Sequence, residues 1–478
     1  MKILSAFLIV GSTLSIHLKN FKAEGEGGVS KEDIVIVEGG IAGLSAAIFL
    51  ARAGKSVTII ERSTEIGGRT RTSISEGFYF NQGPHALYPA GFGARILKEL
   101  GINYVGKIVT TDGYYILKQG QRYPMPISIN QFLTTKLLKG FRSKIEAIRF
   151  FAFLHKMNSE KIQNISLQNW IDEKIHNSDV KDLVKMAARI TTFTNDVEMQ
   201  SAGSTLSQLQ IAYTRGVMYI DGGWQTLLNG LIAAAKETKV KILSGITVIG
   251  IKRSNKPNND DNSWLWTLHL SDGSEMLSQA LIIAAGPRDV YELLKNTNEI
   301  STRFLSRIAK ESKPVGVATL DIALSTHPNP DVYGAYGLDE PLYLSTHSAF
   351  ARLSPHGGSL IHAMKYLESS VQSNPIKVRE ELENLMDMLQ PGWRKFVIKE
   401  RFLPNMVVYN ALVTAEQGGI YGRPDVKIPD VENIYIVGDW IGPQGLLVDA
   451  SLSSAKRAAE YILRTTKEMQ RMMIIKQK

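Results

Sequence analysis

DIVIVEGGIAGLSAAIFLARAG, residues 33–54, passes without a break from an apolar strand through a glycine turn into an Ala- and Leu-rich helix. Asp33-Ile-Val-Ile-Val37 has the short, continuous apolar run of a buried strand. Glu38-Gly39-Gly40-Ile41-Ala42-Gly43 is the turn, Leu44 to Ala53 the helix, and Gly54 its stop. Ser56 to Ile60 (SVTII) is a second buried strand, ending at Glu61, 21 positions after Gly40. A strand–turn–helix–strand unit with an acid at that distance holds the ADP half of a dinucleotide. Its glycines admit backbone to the diphosphate, the helix N-terminus supplies partial positive charge, and the acid accepts from ribose hydroxyls.

Working outward, Arg62-Ser63-Thr64-Glu65-Ile66-Gly67-Gly68-Arg69 follows at once. A nicotinamide-binding domain has no use for a Gly-Gly-Arg here. A flavin protein does, because an extended cofactor passes a second glycine turn and an arginine along its diphosphate and ribityl chain. Phe80-Asn-Gln-Gly83-Pro84-His85 is a further glycine turn. Asp221-Gly222-Gly223-Trp224 leads into a helix over Gln225 to Lys236, and strands follow at 240–243, 246–251 and 264–270. Ala280 to Ala285 is a buried strand closed by Gly286-Pro287. Asn433-Ile-Tyr-Ile-Val437, Gly438-Asp439-Trp440 and a helix over Val448 to Leu463 form a second strand–turn–helix device. There the Asp can accept from ribityl hydroxyls, and the helix start can stabilise negative charge on a reduced flavin ring.

Composition bounds the rest. The 478 residues are 44% hydrophobic and 21% charged, which excludes disorder and supports a large core. No cysteine is present, so disulfides, Fe–S clusters, thiol nucleophiles and cysteine-linked flavin are excluded. The histidines lack metal-ligand spacing, so no metal is expected. Lys plus Arg exceeds Asp plus Glu by 55 to 46. The excess is densest over 136–156 and in the tail, with no aromatic-interleaved basic motif, so nucleic acid is not an expected partner. Residues 3–16 (ILSAFLIVGSTLSI) fit a signal or anchor core, with a gene-model extension as the competing reading. The expected location is cytoplasmic, with or without membrane association. Residues 128–157 read as amphipathic helices with basic and aromatic faces. They are either a solvated helix pair or a peripheral membrane patch that admits a lipid-like substrate.

The ordered set of motifs resembles the FAD-dependent amine oxidase / phytoene desaturase / protoporphyrinogen oxidase superfamily, over about residues 33 to 463. The resemblance implies an α/β fold. A Rossmann-like FAD-binding domain with a central parallel sheet is built from 31–110, 218–300 and 425–465. An α+β substrate domain takes 111–217 and 301–424, and 1–30 and 466–478 are an apolar segment with linker and a basic tail. It implies FAD as cofactor, held by Gly39, Gly40, Gly43, Glu61, Arg62, Gly68, Arg69, Val248, Gly438, Asp439 and Leu447. It implies an FAD-dependent oxidoreductase removing hydride from a C–N or C–C bond of a mainly apolar small molecule, by amine oxidation or carotenoid-type desaturation. His85 is the one candidate catalytic group, with a structural histidine as the competing reading. Trp440 faces the flavin or packs. Lys313 and Lys365 are candidates for the lysine that amine oxidases place near the flavin. Oligomeric state is not encoded in any motif.

One position departs from the family. Glu38 stands where the first turn glycine is usual, and its carboxylate is expected to face the adenosine ribose or diphosphate. Two like charges about 4 Å apart at an effective dielectric near 20 repel by roughly 4 kcal/mol. Weakened FAD binding is the expectation. A degenerate, non-enzymatic flavin fold is the competing class, and a nicotinamide dehydrogenase a third.

Overall fold

The computed structural model describes residues 30–255, 264–369 and 373–476. Two seven-stranded sheets organise the chain. In the first, Ser30–Val37 lies between Val57–Glu61 and Glu275–Ile283, parallel to both. Lys241–Ser244 extends the parallel set beyond Val57–Glu61, and Ile434–Ile436 pairs with the second half of Glu275–Ile283. Trp264–Leu270 and Val248–Asn255 add an antiparallel edge. Strands covered on both faces need apolar residues at every position. Ile34 to Val37 satisfy this, each at most 3% exposed.

The expected helix after the glycine turn is Ile41–Arg52, ended by Ala53 and the left-handed Gly54. It packs beside Leu447–Lys476, so the two strand–turn–helix devices are neighbours although some 400 positions apart in the chain. One boundary needs correction. The sequence places residues 301–424 whole on the substrate side, yet Thr302–Glu311 buries Phe304, Leu305 and Ile308 in the first sheet's core.

The second sheet runs in the order Val397–Tyr409, Val315–Leu324, Ser359–Tyr366, Leu342–Thr346, Gly334–Gly337, Tyr114–Lys118, Gln121–Pro124. Side chains alternate between its faces. Leu320, Ile322, Ile361 and Ala363 pack on the helix Pro375–Leu389. Val317, Met364, Tyr343, Tyr336 and Tyr114 face helices drawn from 141–215. Residues 128–157 form two short helices, Ile129–Thr134 and Phe141–Phe153. Ser128 caps the first, accepting from Gln131 N–H while Gln131 accepts from the Ser128 N–H.

Among the described residues no helix is long and apolar enough to cross a membrane. The segment 3–16 and the side chains of the tail from 466 lie outside them.

Candidate active site

The first glycine turn is built by close approach. A Cβ on Gly43 would stand 2.1 Å from the Glu38 carbonyl oxygen, so only glycine lets the helix Ile41–Arg52 cross the strand end this tightly. Around Gly40 the space is open, and a Cβ on Gly68 would lie 3.9 Å from the Gly40 Cα. The two glycine turns therefore face each other as opposite walls of one crevice. Gly67 and Gly68 both hold positive φ.

Glu61 closes the crevice at one end. Its carboxylate accepts from the Gly39 N–H at 2.9 Å and the Ser63 N–H at 2.9 Å. The loop entering Val248–Asn255 packs against the same end, with Ile246 N–H bonded to the Glu61 carbonyl and Gly245 N–H to Ser63. Val248 is buried there.

Arg69 crosses to the other device. Its Nη2 meets Asp439 Oδ2 at 2.8 Å and its Nη1 donates to the Val408 carbonyl at 2.7 Å. Asp439 is buried and also accepts from Asn410 Nδ2 at 2.9 Å. Arg423 steadies the Asp439 loop by donating to the carbonyls of Asp439 and Gly445. Beside this bridge lies a cavity lined by Arg69, His85, Trp224, Met406, Asp439 and Leu447. Block 33–69 thus touches 245–248 through Glu61 at one end and 438–447 through Arg69 at the other. An extended FAD would run between these two junctions, with an acid and backbone at the adenosine end, glycine turns and a helix start in the middle, and the aromatic-walled chamber at the flavin end.

His85 lies in the chamber wall, edge-on to Trp224 with ring centroids 4.7 Å apart, its Nδ1 3.1 Å from the Gly83 carbonyl. Burial pushes its pKa down to about 4, so near neutral pH it is an uncharged imidazole. Trp440 packs instead of facing the chamber: its Nε1–H donates to the Ala285 carbonyl at 3.0 Å. Neither lysine candidate reaches the chamber. Lys313 is exposed, with Nζ 3.5 Å from Met199 Sδ. Lys365 points to the other face of its strand, where it pairs with Glu381.

Glu38 holds φ +74, a left-handed conformation that suits the glycine expected there. Its carboxyl turns onto the adjoining acid and base, not along the glycine walls. It lies 3.4 Å from Arg62 Nε, and Arg62 also reaches Asp289 at 3.1 Å. Burial first, and the neighbouring Glu61 second, push the Glu38 pKa up to about 7. The two carboxyls are close enough to share a hydrogen bond, with Glu38 carrying the proton.

No motif marks Trp224, Asn410, Met406 and Val408 as site residues. Trp224 follows the Gly222-Gly223 pair. The others sit around a strand end with no glycine turn, where the sequence carries no signal.

The profile of the flavin-containing amine oxidoreductases matches residues 41–463. This chain belongs to that family and is an FAD-dependent oxidoreductase. It is 23% identical to a 4,4'-diaponeurosporene oxygenase from Staphylococcus aureus, over 91% of this chain and 99% of that protein. A 56-residue stretch, 12% of this chain and 11% of the relative, is 46% identical to a carotenoid 3,4-desaturase from Haloarcula japonica. Among solved structures, putrescine oxidase bound to putrescine superposes with a TM-score of 0.68 at 16% identity, covering 91% of this chain and all of that one. The degenerate, non-enzymatic alternative gains no support from these likenesses.

FAD bound in the cleft supplies a hydride acceptor. The chain's own contribution is placement. Glu61 and the Gly39 to Gly43 turn would anchor the adenosine end. Arg69 would offset diphosphate charge while keeping Asp439 oriented. Trp224, Met406 and Leu447 would keep water from the chamber. An electron-pair acceptor of this kind needs no strong acid from the protein, which accords with a neutral His85.

Proposed function

We propose that this chain oxidises a mainly apolar molecule of the carotenoid kind, delivered from an anionic lipid surface, with FAD held by the residues singled out from the sequence. The observation that carries the reading is the rim around 127–153. Six of the fifteen exposed large apolar side chains among the described residues cluster there: Ile127, Ile129, Leu133, Phe141, Phe153 and Tyr213. Ile127 and Tyr213 stand at a cavity of about 290 Å³ whose other walls include Phe132, Phe151, Met186 and Leu209. Phe141 and Phe153 share a neighbouring groove with Arg142 and Arg149, and Lys136, Lys139 and Lys156 are exposed close by in the chain. Exposed apolar side chains edged by cations suit the headgroup boundary of an acidic membrane. The cavity reaches Thr191, and Phe193 two residues further along the chain lines the flavin chamber, which supports entry of a long chain on this side of the molecule.

The relatives named for carotenoids support the apolar reading over a small hydrophilic amine. The test is an anaerobic screen on holoenzyme with acidic-phospholipid vesicles, following loss of the visible flavin band. A C30 or C40 polyene loaded in the vesicles is expected to bleach the flavin, and putrescine is not. Bleaching by putrescine without vesicles, and none by any polyene, would overturn the reading.

A further inference from the structure

The helix Leu447–Lys476 begins at the flavin chamber, and its first turn carries a carboxyl that the site described so far does not use. Leu447, Val448 and Ser451 line the chamber. Asp449 stands among them in sequence but reaches the start of the helix Phe92–Glu99. It is 1% exposed. Its Oδ1 accepts from the Gly93 N–H at 2.7 Å, and the Phe92 N–H also favours the charged form. Its Oδ2 completes no hydrogen bond among the described residues.

Three glycines make room for this group. A Cβ on Gly91 would stand 2.2 Å from Oδ2, one on Gly93 2.7 Å from Oδ1, and one on Gly445 2.5 Å from the Asp449 Cβ. Backbone from the start of Phe92–Glu99 and from the loop before Leu447–Lys476 thus closes around one carboxyl.

Opposing influences meet there. Two helix starts and two backbone N–H groups favour a carboxylate. Removal from water, with one oxygen unmatched, favours the acid. Burial prevails and pushes the Asp449 pKa up from 3.8 to about 6. The charges around it are otherwise engaged. Arg95 of Phe92–Glu99, the cation that acts on Asp449, is exposed, donates to the Gly91 carbonyl and lies over the Phe92 ring. The Tyr88 hydroxyl, in the preceding loop, donates to the Thr191 carbonyl. The helix Ile41–Arg52 carries no titratable side chain before Arg52, which donates to the carbonyls of Glu99 and Leu100. Arg423 donates to the Gly445 carbonyl, and Asp439 is paired with Arg69. Further along the helix of Asp449 itself, Lys456 pairs with Glu99 and Arg457 with Asp425. A carboxyl balanced in this way changes its protonation when one more charge appears nearby.

We propose that Asp449 binds a proton from water when the flavin is reduced and releases it when the electrons leave. In substrate oxidation a C–H bond breaks and hydride, one proton with two electrons, joins the ring and adds one negative charge. One further proton, bound at Oδ2, matches that charge and preserves the positive end of the helix toward the ring. Asp449 is absent from the chamber lining and acts through charge at the helix start.

Holoenzyme is titrated potentiometrically under anaerobic conditions from pH 5 to 8, as wild type and as Asp449→Asn, which keeps an acceptor for the Gly93 N–H. Above about pH 6 the wild-type ratio of reduced to oxidised flavin at fixed potential should fall up to about tenfold more per pH unit than that of the variant, about 30 mV for two electrons. Below about pH 6 the slopes should converge. Parallel profiles throughout would overturn the proposal. Reduced-minus-oxidised infrared spectra at pH 7 test it on wild type alone, should the variant fail to hold flavin. A gain in protonated-carboxyl C=O absorption that moves with carbon-13-labelled aspartate is expected, and absence of that gain would equally overturn the assignment. Glu38 drops out of both comparisons, because it is common to the two proteins and is not an aspartate.

Discussion

Replacing Glu38 by glycine removes two separate costs at the adenosine end of the cleft. The first is backbone strain: a side-chain-bearing residue at φ +74 is worth about 1 kcal/mol against folding, much of which glycine's extra unfolded-chain entropy cancels. This backbone contribution alone should therefore change thermal stability by less than about 1 kcal/mol. The second cost is electrostatic and depends on pH. Burial and Glu61 raise the Glu38 pKa from an ordinary 4.5 to about 7. The folded state thus holds a proton that the unfolded chain releases between those values. The carboxyl costs nothing below about pH 4.5, progressively more as pH rises, and its full amount above 7. At 1.36 kcal/mol per unit the ceiling is about 3 kcal/mol, and solvent screening at the rim reduces it to about 1 to 2. An added diphosphate makes ionisation of Glu38 harder still. Wild-type affinity for FAD should then fall by up to about tenfold per pH unit above 7, with Asp289 and Glu61 acting in the same sense and Arg62 opposing. The assay is quenching of FAD fluorescence by apoprotein at pH 6, 7 and 8. Glu38→Gly should tighten binding about tenfold at pH 8 and less than about threefold at pH 6. Glu38→Gln, which keeps the strained backbone but not the charge, should flatten the pH profile equally. Parallel profiles for all three proteins would refute the reasoning, because the charge would then have no bearing on the cofactor.

Other residues give sharper yes-or-no outcomes. Arg69→Ala leaves the buried Asp439 with Asn410 as its one side-chain hydrogen-bond partner among the described residues and should weaken FAD binding by about 1 to 3 kcal/mol, read by the same fluorescence titration. Gly43→Ala drives a methyl into the Glu38 carbonyl and should lower stability by about 3 kcal/mol in denaturant melts, with loss of bound flavin. Arg142→Glu with Arg149→Glu should cut binding to acidic vesicles by about 1 kcal/mol or more per residue in co-sedimentation and leave binding to neutral vesicles unaltered.

What the sequence disclosed follows from how each part is encoded. The strand–turn–helix units were legible because an extended cofactor imposes its demands within a few residues: a glycine where a helix must cross a strand, an acid at the next strand's end, a Gly-Gly-Arg just beyond. The Arg69–Asp439 bridge joins two such units, and each partner was visible in its own motif although their meeting was not. Lys365 misled because one residue's shift along a strand reverses the face it serves. Helix Thr302–Glu311 was misassigned for a related reason. Its apolar residues declare that it packs, and nothing local declares against which sheet.

The substrate side shows the limit most clearly. Arg401, Asp321, His362, Ser345, Gly334 and Tyr114 lie in one row across the second sheet, each opposite the next by strand register. They come from six strands over nearly 290 positions of chain, so no motif could announce them. Within the row, size as well as charge is matched. Tyr114 lays its ring over Gly334, where a Cβ would come within 2.1 Å of the ring, and from there its hydroxyl reaches Ser345 at 2.8 Å. A side chain at Gly334 would displace the Tyr114 ring, free the Ser345 hydroxyl and loosen Tyr219, which shares it. The Tyr114–Ser345–Tyr219 network therefore depends on a glycine remote from any turn, at an ordinary backbone conformation, whose importance lies only in what crosses above it.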